Sequence, residues 1–148
     1  MRILALTLPL ALAACGSRGA DLDAADGGRA LVEHVWIDHV PTGPKDTFHV
    51  LFFDAESRSG VYQKARFYKG EYEMYTFNVD GRRLALVFPD DGERATTKFK
   101  VQRIDDEPPF DAKLVLDDSP RGPDSYLGLS IDQGRELLRG YGVTLATP

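Results

Sequence analysis

The residues able to do chemistry are few and scattered along the chain. On an extended strand side chains alternate, so His34 and His39 face opposite ways while His34, Trp36 and Asp38 share one face. With His49 from a following strand, His34 and Asp38 would make a two-histidine, one-aspartate metal site. Close ligand spacing, such as two histidines separated by three residues on a helix, is absent. Histidines at strand rims account for the same residues, and no metal or other cofactor is expected. The serines at 57, 59, 119 and 125 fall in predicted loops, and no Gly-x-Ser-x-Gly elbow exists. Carboxylates come in runs, Asp90-Asp91, Asp105-Asp106-Glu107 and Asp117-Asp118. Glycosidase chemistry needs two carboxylates across a cleft, one with its pKa raised by burial. These runs sit at predicted turns, where water solvates them, so no catalytic residue is expected. Lys64 and Arg66, with Lys98, Lys100 and Gln102, occupy the predicted outer faces of two strands. They read as a solvated face, the alternative being contact with an anionic partner surface.

The sharpest signal is a cysteine. Arg2 precedes an apolar run from Ile3 to Ala11, and Leu12-Ala13-Ala14-Cys15 follows. This tetrapeptide resembles the bacterial lipobox at every position. The resemblance implies a diacylglycerol on the Cys15 sulfur and cleavage just before it. The apolar stretch is too short to span a bilayer, which takes roughly 20 residues. Gly16 stands where an aspartate would retain such a protein at the inner membrane, so the outer membrane, facing the periplasm, is expected. Cys15 is the only cysteine, and lipidation consumes it. The exported part then has no thiol for a disulfide, a nucleophile or a metal site.

The elements that must position everything else lie downstream. The 148 residues suit one domain, and removing residues 1–14 leaves 148 − 14 = 134, enough to bury a core without disulfides. The net charge of −5 becomes −6 without Arg2, a poor match to nucleic acid, which requires clustered cations. Residues 16–30, rich in Gly, Ala and Asp, read as a flexible tether with a reach of about 20 Å. The expected organisation is therefore a signal over 1–14, lipidated Cys15 and tether over 15–31, and a folded domain over 32–148.

From residue 32 onward, strand signals alternate with turns. Strands are expected over Val32–Val40, Thr47–Phe53, Val61–Tyr68, Glu71–Val79, Arg82–Phe88, Ala95–Ile104 and Ala112–Leu116, and a helix from Ser130 to Arg139. Ser130 and Gln133 have capping-box spacing, and Gly140 and Gly142 end the helix. A turn at Lys69-Gly70 would set Phe67 opposite Tyr72 and Arg66 opposite Glu73. A turn at Asp80-Gly81 would set Phe77 opposite Leu84. Tyr75 and Phe77 then share parity with Glu73, and burying an unpaired charge is costly. A bulge near Met74–Thr76 is the expected remedy.

The fold class is all-β, mainly antiparallel: a single up-and-down barrel or sandwich of about seven or eight strands with one short C-terminal helix. A tryptophan in the first strand, a strand meander and a late helix are similar to the lipocalin-type barrel, with Trp36 as the tryptophan and Ser130–Arg139 as the helix. His34 stands where lipocalins usually carry a glycine. Trp36, between Val35 and Ile37, is expected to anchor the core. Were it exposed, His34, Trp36 and Asp38 would be the leading partner patch. The expected function is that of a lipid-anchored, non-enzymatic envelope protein that binds another envelope component. The alternative, implied by the lipocalin likeness, is a carrier of an apolar small molecule, and a hydrolase ranks below both.

Overall fold

The computed structural model describes residues 19–148; the expected signal segment, Cys15 and the start of the expected tether lie outside the described residues. Helix α1 spans Ala24–Glu33 and is followed by strands β1 (His34–Ile37), β2 (Phe48–Asp54), β3 (Ser59–Arg66), β4 (Lys69–Asp80), β5 (Arg83–Phe88), β6 (Glu93–Arg103), β7 (Ala112–Leu116) and β8 (Ser125–Ser130), then helix α2 (Ile131–Gly140). The strands close in sequence order, β8 pairing back onto β1, and every pairing is antiparallel. The barrel is the all-β meander expected, and the sandwich alternative is excluded.

Two cores hold it. Alternation sends Trp36, Leu51, Phe53, Tyr75, Leu84 and Phe99 inward. Their neighbours Val35, Val50 and Phe52 point outward and are covered by Leu138 of α2 and by Val143 and Leu145 beyond it. The near-continuous apolar run of β2 is explained by this: the strand is buried on both faces. Trp36 is wholly buried, and its indole N–H donates to the Leu31 carbonyl at 2.9 Å. Ser130 caps α2, accepting from the Gln133 N–H, as its spacing predicts.

Several expectations are corrected. Residues 24–33 are helical, so the flexible tether does not reach residue 31. Asp23 caps the helix by accepting from the Asp26 N–H at 2.8 Å, and Ala30 and Leu31 plug one end of the barrel. A segment rich in small residues looked like a linker, but burial of Leu31 outweighs poor helix propensity. The first strand is correspondingly short. Strand β8 was not anticipated, because Gly128 and the neighbouring Pro and Gly residues mask its alternation.

The turns also shift. The β3–β4 turn is Phe67-Tyr68, pairing Arg66 with Lys69, so Gln63 faces Tyr72 and Tyr62 faces Glu73. The expected Arg66–Glu73 pair does not form. The β4–β5 turn is Gly81-Arg82, with Phe77 opposite Leu86. No bulge interrupts β4: its register with β3 is continuous from Lys69 to Thr76. Tyr72 and Met74 simply face outward, and Glu73 faces inward with Tyr75 and Phe77.

Candidate functional site

The end of the barrel opposite α1 gathers the β1–β2, β3–β4, β5–β6 and β7–β8 connections. Its centre is Arg121, in the loop between β7 and β8. Arg121 Nε donates to Glu73 at 2.7 Å and Nη2 donates to the other Glu73 oxygen at 3.1 Å, a bidentate pair. Nη1 donates to Glu93 at 2.9 Å and Nη2 to Asp91 at 3.1 Å. The guanidinium lies 4.1 Å from the centre of the Phe88 ring, over its face. Hydrogen bonding to Glu73 leads the forces that raise the Arg121 pKa further above its ordinary value. The loop is tied down besides: the Ser119 N–H donates to Asp124 at 2.8 Å and the Asp118 N–H to Thr97 at 3.2 Å.

Arg121 is thus a latch across the barrel mouth. Beneath it, walled by Leu51, Phe53, Tyr75, Leu84 and Phe88, is a cavity of about 10 Å³. That is room for one water at most. The Tyr75 hydroxyl donates to the Phe52 carbonyl at 2.9 Å, and burial holds its pKa well above the ordinary tyrosine value.

Beside the latch sits a histidine–carboxylate cluster. Asp38 accepts from the backbone N–H of His39 at 2.9 Å and of His49 at 2.7 Å. Its two oxygens also meet the Nδ1 atoms of His49 at 2.8 Å and of His39 at 3.1 Å. His39 Nε2 reaches Asp46 at 3.1 Å. Burial alone would lower the His39 pKa, but Asp38 and Asp46 on either side of the ring outweigh it and raise the pKa. Tyr62 stacks on His49, their ring centres 5.9 Å apart. Burial first, then the Asp38 charge, raises the Tyr62 pKa above the ordinary tyrosine value. No serine or threonine hydroxyl bonds to His49 Nε2 among the described residues.

The residues singled out from sequence are dispersed. Asp38 and His49 do come together, but His34 is at the α1 end, bonded to the Ala30 carbonyl at 2.8 Å and to Asp111 at 2.9 Å. The hypothetical His34, Asp38 and His49 metal site is therefore not assembled, and no group of three or more metal-binding side chains exists among the described residues. His34, Trp36 and Asp38 form no surface patch either, since Trp36 is inside and the other two lie at opposite ends of β1. The basic stripe is split. Lys100 and Gln102 are covered by Asp21, at 3.5 Å and 2.7 Å, while Lys64 and Arg66 follow Tyr62 on the inward-facing side of β3 and project beyond the mouth. Asp91 is no simple solvated turn acid, because it holds the latch. Arg121 itself was missed. The signal that could have found it is Glu73, an inward carboxylate among aromatics that requires a cation.

The chain matches no known protein-family model, no curated protein and no solved structure. No helix among the described residues is long and apolar enough to cross a membrane.

Proposed function

We propose that the protein is a lipid-anchored component of the bacterial cell envelope that recognises another envelope component and does not turn over a substrate.

 The anchor rests on Leu12-Ala13-Ala14-Cys15. The single observation that carries the binding role is the filled interior. A small-molecule site runs to about 300–1,000 Å³, whereas the space under Arg121 is about 10 Å³. Recognition is thereby left to the outside of the barrel, and the lipocalin-like carrier becomes the second reading, dependent on release of the Arg121 latch.

The test joins location to partnership. Cys15→Ser is expected to abolish lipid labelling and move the protein out of the membrane fraction, since two or more acyl chains are what give stable anchoring. Cross-linking of the wild-type chain in intact cells, followed by mass spectrometry, is expected to capture a discrete envelope protein. A serine variant that stays membrane-bound after a high-salt wash defeats the anchor. Co-purification of a stoichiometric apolar small molecule instead of a protein favours the carrier.

A further inference from the structure

Strand β4 is longer than its neighbours allow. It pairs with β3 from Lys69 to Thr76 but with β5 only from Thr76 to Asp80. Among the described residues, 69–75 therefore have a strand on one side and none on the other. A two-residue turn makes Arg66 and Lys69 a hydrogen-bonded pair. By alternation Lys69, Glu71 and Glu73 turn their backbone groups toward β3, and Gly70, Tyr72 and Met74 turn theirs toward the open edge. Among the described residues, no turn, loop or side chain bonds to those three backbones. The side chains beside that edge are unusually apolar for a surface, Tyr72 being 64% and Met74 37% exposed. On the other face of the ribbon stand Lys64, Arg66 and Lys69, all exposed, around a hollow of about 240 Å³ that they share with Glu71.

The molecule closes a similar gap elsewhere with an extended acidic segment of its own. Strand β6 pairs with β5 only up to Lys98, which leaves one edge of Val101–Arg103 open. Residues 20–22 take that edge: the Leu22 N–H donates to the Val101 carbonyl at 2.9 Å, and the Arg103 N–H to the Ala20 carbonyl at 3.0 Å. Between them Asp21 lies against Lys100 at 3.5 Å and accepts from Gln102 at 2.7 Å. Backbone pairing plus a carboxylate over a lysine is thus already used once.

We propose that the β4 edge from Gly70 to Met74 is a strand-addition site for an extended acidic segment of a partner protein. The added strand sets apolar side chains beside Tyr72 and Met74 and carboxylates on the opposite face. There Lys69 on β4, with Lys64 and Arg66 one strand further away on β3, outnumber Glu71, Glu73 being already paired with Arg121. This deepens the binding role given above and rests on it.

The probe is a fluorescein-labelled, end-capped octapeptide alternating Val and Glu, titrated into the purified full chain at low salt and followed by anisotropy. Saturable binding is expected, at least tenfold weaker for the Val and Lys peptide. Tyr72→Pro removes one edge N–H that β3 does not use, a change edge strands tolerate. It is expected to weaken binding at least tenfold, with Trp36 emission unchanged. Tyr72→Ala, which keeps the N–H, is expected to lose less. Should Tyr72→Pro disturb folding, Lys64→Glu with Lys69→Glu supplies the test and is expected to weaken the acidic peptide at least tenfold. No binding at peptide concentrations on the order of 1 mM, or binding indifferent to both sets of changes, overturns the proposal. So does a self-association, seen by sedimentation, that Tyr72→Pro dissolves, because the edge then belongs to a second copy. The peptide measurement is independent of Cys15. A lipid-anchored chain that ignores the peptide sinks this site alone, and an unanchored chain that binds it sinks only the envelope reading.

Discussion

Arg121 and Glu73 are 48 residues apart in the chain and share a bidentate ion pair across the barrel mouth, with N···O distances of 2.7 and 3.1 Å. The pair settles a conflict in β4. A regular strand places Glu73 on the same side as Tyr75 and Phe77, and the cation arriving from the β7–β8 loop makes that side habitable for a carboxylate. Both side chains are about four-fifths hidden, with 21% and 23% exposure, so solvent screens the pair only in part.

Arg121→Ala leaves Glu73, Asp91 and Glu93 facing one another without their cation. The expected loss is about 2–4 kcal/mol, the range for charged hydrogen bonds and broken, partly buried pairs. The variant should also bind an apolar dye that the parent ignores, because the loop no longer closes the mouth. Denaturant melts with and without dye check this, and an unchanged midpoint would show that the loop is held by its other bonds. In a double-mutant cycle with Glu73→Gln, the two losses should fail to add.

Trp36 is the only tryptophan and is wholly buried. Its emission should lie to the blue of free tryptophan and resist aqueous quenchers. Trp36→Ala is expected to cost about 3–5 kcal/mol through the cavity it leaves. Gly128 approaches so closely that an added Cβ would sit 2.6 Å from the indole ring. Gly128→Ala should therefore cost about 1–3 kcal/mol by overpacking. A red-shifted, fully quenchable emission from the parent would contradict the burial.

Gly81 isolates a backbone effect. Its φ is +60°, yet nothing lies within 4 Å of where a Cβ would be. Gly81→Val should destabilise by about 1–3 kcal/mol, all of it from forcing a β-branched residue into the left-handed region. Gly81→Asn should recover most of that loss, because asparagine tolerates this conformation better. Equal melting temperatures for parent and valine variant would contradict the turn.

His39 gives the fold a pH dependence with a definite sign. Its pKa is raised in the folded state, so folding binds the proton more tightly than the unfolded chain does. The contribution is full below the unfolded value of about 6.5 and fades as pH rises through the folded pKa. Parent and His39→Gln should differ more in urea midpoint at pH ~5.5 than at pH ~8.5. A difference that grows toward alkaline pH would overturn the assignment. Asp46, whose pKa is lowered chiefly by the Thr42 backbone N–H, adds a contribution of opposite sign, present above the usual carboxylate range and lost on acidification below it.

The sequence by itself determined the alternation of seven of the eight strands, the cap of α2 at Ser130, the need for glycine at position 81 and the burial of Trp36. Each of these is local: side-chain period, capping geometry and backbone freedom act over a few residues. Only the tertiary structure decided that β8 closes on β1, that residues 24–33 form a plug instead of a tether, and that the turns sit at Phe67-Tyr68 and Gly81-Arg82. A shift by an even number of residues, four between β3 and β4 and two between β4 and β5, keeps every side chain on its face, so alternation cannot choose between such registers; packing against the rest of the barrel does. The partner of Glu73 was hidden for the same reason. An inward charge announces that a counter-charge is required, but which of the 18 Lys and Arg residues supplies it depends on where a distant loop lands once the barrel has closed.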